Sequence, residues 1–192
     1  MIVLIAGLLL FLGTHSIRLF AESWRNTQRA RLGEMRWKGL YSLLSLVGFA
    51  LIVWGFGLTR SAPLILWIAP HWTRHLAAAL MLPAFILLVA AYVPGNRIKA
   101  KIGHPMLAAV KTWALVHLIA NGTLADTLLF GSFLVWAVAA FIVSRRRDRA
   151  AGTVYPALGI GRDLLTLIIG TIAWILFARF GHQWLIGVNP FG

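Results

Sequence analysis

The sequence predicts an all-α integral membrane protein, a bundle of about six transmembrane helices with short loops, forming one domain over residues 1–192. Three observations carry that expectation. Apolar residues make up 60% of the 192 and charged ones 12%, at a mean hydropathy of +0.82. A soluble domain averages roughly 45–50% apolar and 25% charged. The apolar residues fall in blocks, Ile2–Leu12, Gly39–Leu58, Leu76–Val93, Met106–Ala120, Leu128–Val143 and Leu164–Ala178. The basic residues cluster in alternate connections.

A spanning helix needs roughly 17–25 residues at about 1.5 Å each. Gly39–Leu58 and Leu76–Val93 reach that outright, and the other blocks reach it with polar residues at their ends. Five spans plus a re-entrant piece is the alternative count. Ile2–Phe20 has neither a basic n-region nor an A-x-A-like site, so it reads as the first helix and not as a cleaved signal. With cysteine absent, disulfides, thiolate-ligated haem, covalent haem attachment and Cys zinc sites are excluded.

The net charge of +13 raises the question of nucleic acid, but its placement answers otherwise. Arg18, Arg25, Arg29, Arg31, Arg36 and Lys38 follow the first block. Arg97, Lys99, Lys101 and Lys111 follow the third, and Arg145, Arg146, Arg147, Arg149 and Arg162 the fifth. Only Arg60, Arg74 and Arg179 lie on the other connections, a split of fifteen to three. The positive-inside rule then places the basic connections in the cytoplasm and both termini on the outer side of the membrane. The partner implied is the lipid bilayer, with contact to anionic lipid second to topology, and no nucleic acid.

In the first helix Leu8, Phe11, Leu12, His15 and Leu19 share a face, with Arg18 near His15 and toward the cytoplasm. Arg18 reads as a residue snorkelling to the interface or as a partner for a haem propionate. Glu22–Lys38 is expected to hold a short interfacial helix with Trp24 and Trp37 at headgroup depth. Ser42, Ser45 and Gly48 give the next helix a small-residue stripe for close helix packing. Pro63–Pro70 is too short to span and reads as a shallow outer lid. His71 and His75 follow in an aromatic and basic boundary belt, as does His182 near the end.

Pro83 should kink the third span. His104–Pro105 starts the fourth, with His104 at the cytoplasmic interface and proline in the first turn. Val110, Trp113, Ala114, His117 and Asn121 share a face there. Asn121–Gly122 and Asp126 read as a short outer turn. Residues 144–150, SRRRDRA, read as a solvated charge run, and Asp163 as a residue near the N-cap of the last helix.

His15 and His117 stand out because each lies within an apolar run that holds no carboxylate. An ionisable group at membrane depth is costly without a partner, and such residues mark functional sites. If the hydrocarbon begins near Phe20 and Thr112, His15 and His117 each lie about 7 Å deep and close to level. Lys111 is the difficulty, since it falls inside the run if the helix starts at Pro105. Metal or haem ligation satisfies both imidazoles; interhelical hydrogen bonding is the alternative.

GTHSIRLF from Gly13, RWKGLYSLLSLVGF from Arg36, His104–Pro105 followed by WALVHL, and the closing HQWLIGVNP resemble the NnrU family of bacterial membrane proteins. That family is related to the plastid 15-cis-zeta-carotene isomerase. The resemblance implies haem b held by two histidines and redox-dependent isomerisation of a polyene. It carries over to His15 and His117, the interval from His104 to His117 being like the relative's. For the bacterial branch it implies a link to denitrification. The expected ligand is then a hydrophobic small molecule or a small gas. The competing class is a non-enzymatic membrane accessory factor for nitrite or nitric oxide reductase. A proton-coupled transporter would need an intramembrane carboxylate that these runs lack.

Overall fold

A computed structural model describes residues 1–191. Its helices are α1 (Ile2–Phe20), α2 (Glu22–Leu32), α3 (Glu34–Thr59), α4 (Trp72–Tyr92), α5 (Arg97–Ile102), α6 (Pro105–Ala120), α7 (Leu124–Ala151) and α8 (Ile160–Leu176). α8 runs through a π-helical turn, Phe177–Gly181, into α9 (His182–Ile186). No strand occurs among the described residues, and Ile65 and Thr123 form an isolated antiparallel bridge.

Five helical stretches are long and apolar enough to cross a membrane: α1, α3, α4, α7 and Ile160–Ile186. This is the pattern of a multi-pass membrane protein. The sixth expected span, α6, has 16 residues and reaches only about 24 Å. The chain divides into two compact units, Met1–Trp67 with Thr123–Trp136, and Ile68–Gly122 with the chain from Ala137 on.

In the first unit α1 and α3 pack antiparallel with almost no side chain between them. A Cβ on Gly7 would lie 2.6 Å from the Ile52 nitrogen, and one on Gly48 2.8 Å from the Phe11 nitrogen. A Cβ on Gly55 would fall onto the Leu4 backbone. Lipid tails are as apolar as leucine, so helices in a membrane gain from dispersion at close range and small residues permit the approach. The pairs Leu4 with Gly55, Gly7 with Ile52 and Phe11 with Gly48 fix one register. Continued toward the basic end, that register puts Ile17 opposite Ser42 and Arg18 opposite Tyr41. Of the expected stripe, Gly48 is at the contact, whereas Ser45 bonds the Tyr41 carbonyl at 2.8 Å.

The connection after α1 is the expected short helix, α2. Gly33, at φ +79°, makes the turn into α3, a conformation that side chains rarely adopt. Trp24 and Trp37 meet edge to face at 6.0 Å, and Trp37 is packed away, at 8% exposure. The Pro63–Pro70 segment is tied to the start of α7, where the Leu124 N–H donates to the Leu64 carbonyl. Asp126 is not in a turn. It caps α7, its carboxylate accepting from the Thr123 N–H and hydroxyl while the Asp126 N–H donates to Thr123 Oγ1.

In the second unit α4 packs on α6 and α8, and a Cβ on Gly170 would lie 2.8 Å from the Ile86 Cα. Asn96, fully buried, joins α4 to α5 by donating to the Ala90 and Val93 carbonyls and capping the Lys99 N–H. Asp163 does meet an orphan helix donor, but that of α5, accepting from the Arg97 N–H at 2.7 Å. Lys111 lies inside α6 with its ammonium 3.7 Å over the Phe141 ring, an attraction that offsets its placement.

The run after Val143 is not simply solvated. α7 continues to Ala151, and Ser144 and Asp148 turn inward on the same face as Phe141. His104 Nε2 sits 2.8 Å from Asp148 Oδ2, with the aspartate side chain 12% exposed. The Tyr155 hydroxyl donates to the same oxygen at 3.0 Å. Burial, and then that hydrogen bond, push the Tyr155 phenol above its ordinary range.

The register makes a direct prediction. Gly55→Leu should force α1 off α3 and destabilise the protein by about 1–3 kcal/mol or more. Gly57→Ala, whose Cβ meets nothing within 4 Å, should leave stability unchanged. Thermal unfolding in detergent checks both, and equal midpoints for the two variants would refute the register.

Candidate functional site

His15 is built into the first unit by its own helix. One turn earlier, Phe11 stacks on the imidazole at 4.2 Å between ring centroids, with Tyr41 at 5.4 Å and Trp136 edge-on at 6.0 Å. His15 Nδ1 lies 2.8 Å from the Phe11 carbonyl oxygen. A carbonyl only accepts, so the bond requires the proton on Nδ1 and leaves the lone pair on Nε2. A neutral imidazole fixed in that tautomer by a backbone carbonyl is the form in which histidine binds metals. The indole Nε1 of neighbouring Trp136 is buried without a hydrogen-bond partner.

Beside His15 a cavity of about 260 Å³ opens at the basic end of α1. Arg18, Arg25, Arg29 and Lys38 line it, so three helices contribute cations to one space. Thr14, Tyr41 and Ser42 add hydroxyls, and Ile17 and Trp37 an apolar wall. No carboxylate is in the lining. Glu22 and Glu34 instead approach the cations from elsewhere, Arg18 to Glu22 at 4.0 Å, Arg29 to Glu34 at 3.7 Å and Lys38 to Glu34 at 2.8 Å.

Of this set the sequence pointed to His15 and Arg18, which the structure does bring into one cavity. Arg25, Arg29 and Lys38 had been assigned to topology first and to contact with anionic lipid second. The signal that could have found them is the i,i+4 spacing of Arg25 and Arg29, which gives α2 one cationic face.

His117 belongs to the second unit. Its surroundings repeat the His15 pattern: Nδ1 lies 2.9 Å from the Trp113 carbonyl oxygen, and the Trp113 ring stands 5.8 Å away. The Asn121 amide donates to the His117 carbonyl at 2.8 Å and closes the end of α6. Here too the proton is on Nδ1 and the lone pair on Nε2.

The remaining histidines have other surroundings. His71 and His75 are exposed at the start of α4, their rings 5.3 Å apart. His182 Nδ1 faces the Val188 carbonyl at 2.7 Å, and His104 is engaged by Asp148. Among the described residues no three His, Cys, Asp or Glu side chains gather as a metal site.

In comparisons with known proteins, the family described as NnrU protein matches residues 3–190. No curated protein and no solved structure matches the chain. The match runs from the first turn of α1 to beyond α9 and takes in both histidine-bearing helices. On that extent, the chain belongs to the NnrU family.

Proposed function

We propose that this protein is a haem b protein of the bacterial inner membrane, with His15 and His117 as axial ligands and Arg18 facing a propionate. The observation that carries this is the shared tautomer. Both imidazoles lie in apolar helices with Nδ1 held by the carbonyl four residues back, which in a neutral ring puts the lone pair on Nε2. Haem brings its own equatorial nitrogens and asks the protein for two donors at most, which suits isolated histidines better than a zinc-type ligand set. Thiolate ligation and covalent attachment are unavailable to a chain without cysteine.

The residues fit the group in their chemistry. The cavity beside His15, at about 260 Å³, has room for the polar edge of a macrocycle, since pockets for whole drug-sized ligands run roughly 300–1,000 Å³. The protein's part is to hold the ring nitrogens in one tautomer, neutralise carboxylates at the cavity and keep water from the apolar faces. Bound haem would supply one-electron chemistry and, with one histidine displaced, an open iron position.

Family membership ties the protein loosely to nitrogen-oxide metabolism. A small gas suits that link, and an olefin suits the relation to the carotene isomerase. A second reading rests on the same hydrogen bonds, because an imidazole bonded to its own helix can be structural. Under it the protein is a membrane accessory factor for assembly or expression of nitrite or nitric oxide reductase.

We also propose that both termini are periplasmic and that the α1–α3, α4–α6 and α7–α8 connections are cytoplasmic. Fifteen of eighteen basic residues support this. Reporter fusions at Lys38, Thr59, Lys101 and Gly122 should read inside, outside, inside and outside. A periplasmic signal at Lys38 or Lys101 contradicts the arrangement.

For the haem itself, purified protein should show a Soret band and, after dithionite, sharp α and β bands. His15→Ala and His117→Ala should each give a high-spin spectrum or haem loss, because alanine supplies no ligand. Arg18→Gln should retain most haem, an exposed charge pair being worth under about 1 kcal/mol. His71→Ala, His75→Ala and His182→Ala should leave the spectrum unchanged. Folded but colourless protein from haem-sufficient cells favours the accessory-factor reading.

A further inference from the structure

The cationic cavity of the first unit is more than one haem propionate at Arg18 would require. Four cations from α1, α2 and α3 line it and no carboxylate does, while Glu22 and Glu34 approach Arg18, Arg29 and Lys38 from outside the lining. The convergence is selective, because Arg31 and Arg36 belong to the same stretch of chain and are not in the lining. Like charges one turn apart destabilise a helix, so Arg25 and Arg29 on one face of α2 work against its stability. An anion held between them reverses the sign of that effect.

We propose that this cavity binds a phosphate-bearing anion at the end of the bundle that the charge distribution places in the cytoplasm. Guanidinium groups match the paired oxygens of a phosphate with two parallel hydrogen bonds, and Lys38 adds a compact charge. Tyr41 and Ser42 bring hydroxyls to the same wall. Ile17 and Trp37 lie beside them, so the site suits a phosphate ester with an apolar remainder as well as the free ion. The headgroup of an anionic phospholipid and a soluble phosphate share this chemistry. The proposal stands without the haem reading, since only Arg18 and His15 are common to the two.

Retention of phosphatidylglycerol against phosphatidylcholine, measured by native mass spectrometry on the full chain released from mixed vesicles, tests it. Inorganic phosphate titrated into the same samples distinguishes the two sources. The wild-type protein should retain phosphatidylglycerol in preference, or bind inorganic phosphate if the soluble ion is the ligand. Arg25→Gln/Arg29→Gln should weaken whichever is bound at least tenfold, and Lys38→Gln by a smaller factor. Arg31→Gln/Arg36→Gln, which removes the same charge outside the cavity, should stay within twofold of wild type. Equal loss in the two double variants would overturn the proposal, as would equal retention of both lipids with no binding of inorganic phosphate. The Soret absorbance of each sample is read in parallel, so loss of anion binding with haem intact, or of haem with anion binding intact, separates this site from the haem reading.

Discussion

An imidazole inside an apolar helix has no water to turn to, and the rest of the site follows from that constraint. A buried polar group left unpaired costs a few kcal/mol, roughly 1–3 by mutational measures. His15 and His117 each meet half of the demand within their own helix, through Nδ1 and the carbonyl one turn back. That bond fixes the ring's orientation as well as its tautomer. In a neutral ring the lone pair is then on Nε2 at both positions. In the proposed reading, a coordinated metal is the partner for that nitrogen.

His15 is aimed by backbone contact as much as by its neighbours. Where Gly48 meets Phe11 and Gly55 meets Leu4, α1 and α3 can slide only by breaking contacts between main chains. That register puts the basic end of α1 against the first turns of α3, so Arg18 and Tyr41 arrive at the same cavity as His15. The turn at Gly33 folds α2 back over it and adds Arg25 and Arg29. The cavity is thus a consequence of glycine placement in α1 and α3. In the second unit polar anchors do comparable work, with buried Asn96 and the His104–Asp148–Tyr155 group fixing the chain where α4, α5, α6 and α7 end or begin.

The periodic and chemical signals were legible in the sequence. The apolar blocks located the long helices, Pro105 marked the start of α6, and an isolated histidine in each of two runs pointed to His15 and His117. Register was not legible. Gly7 and Gly55 look like any glycines in a membrane run, and only the facing helix gives them meaning. Asp148 was concealed among arginines, because a charge run reads as solvated until a partner on another element turns one member inward. Arg25, Arg29 and Lys38 were accounted for by topology and lipid contact, so the i,i+4 spacing of Arg25 and Arg29 was the signal passed over. α6 ends at Ala120, where the apolar block ends and Asn121–Gly122 begins, and its 16 residues are short for a span.

The central claim is that the two Nε2 atoms share one iron. Electron paramagnetic resonance of the ferric protein, grown with ¹⁵N-labelled histidine, addresses it through the nitrogen couplings. A low-spin ferric signal coupled to two histidine nitrogens, reduced to one coupling in His117→Ala, is the result this account predicts. A high-spin signal with a single coupling, or a low-spin signal unchanged by His117→Ala, would contradict it.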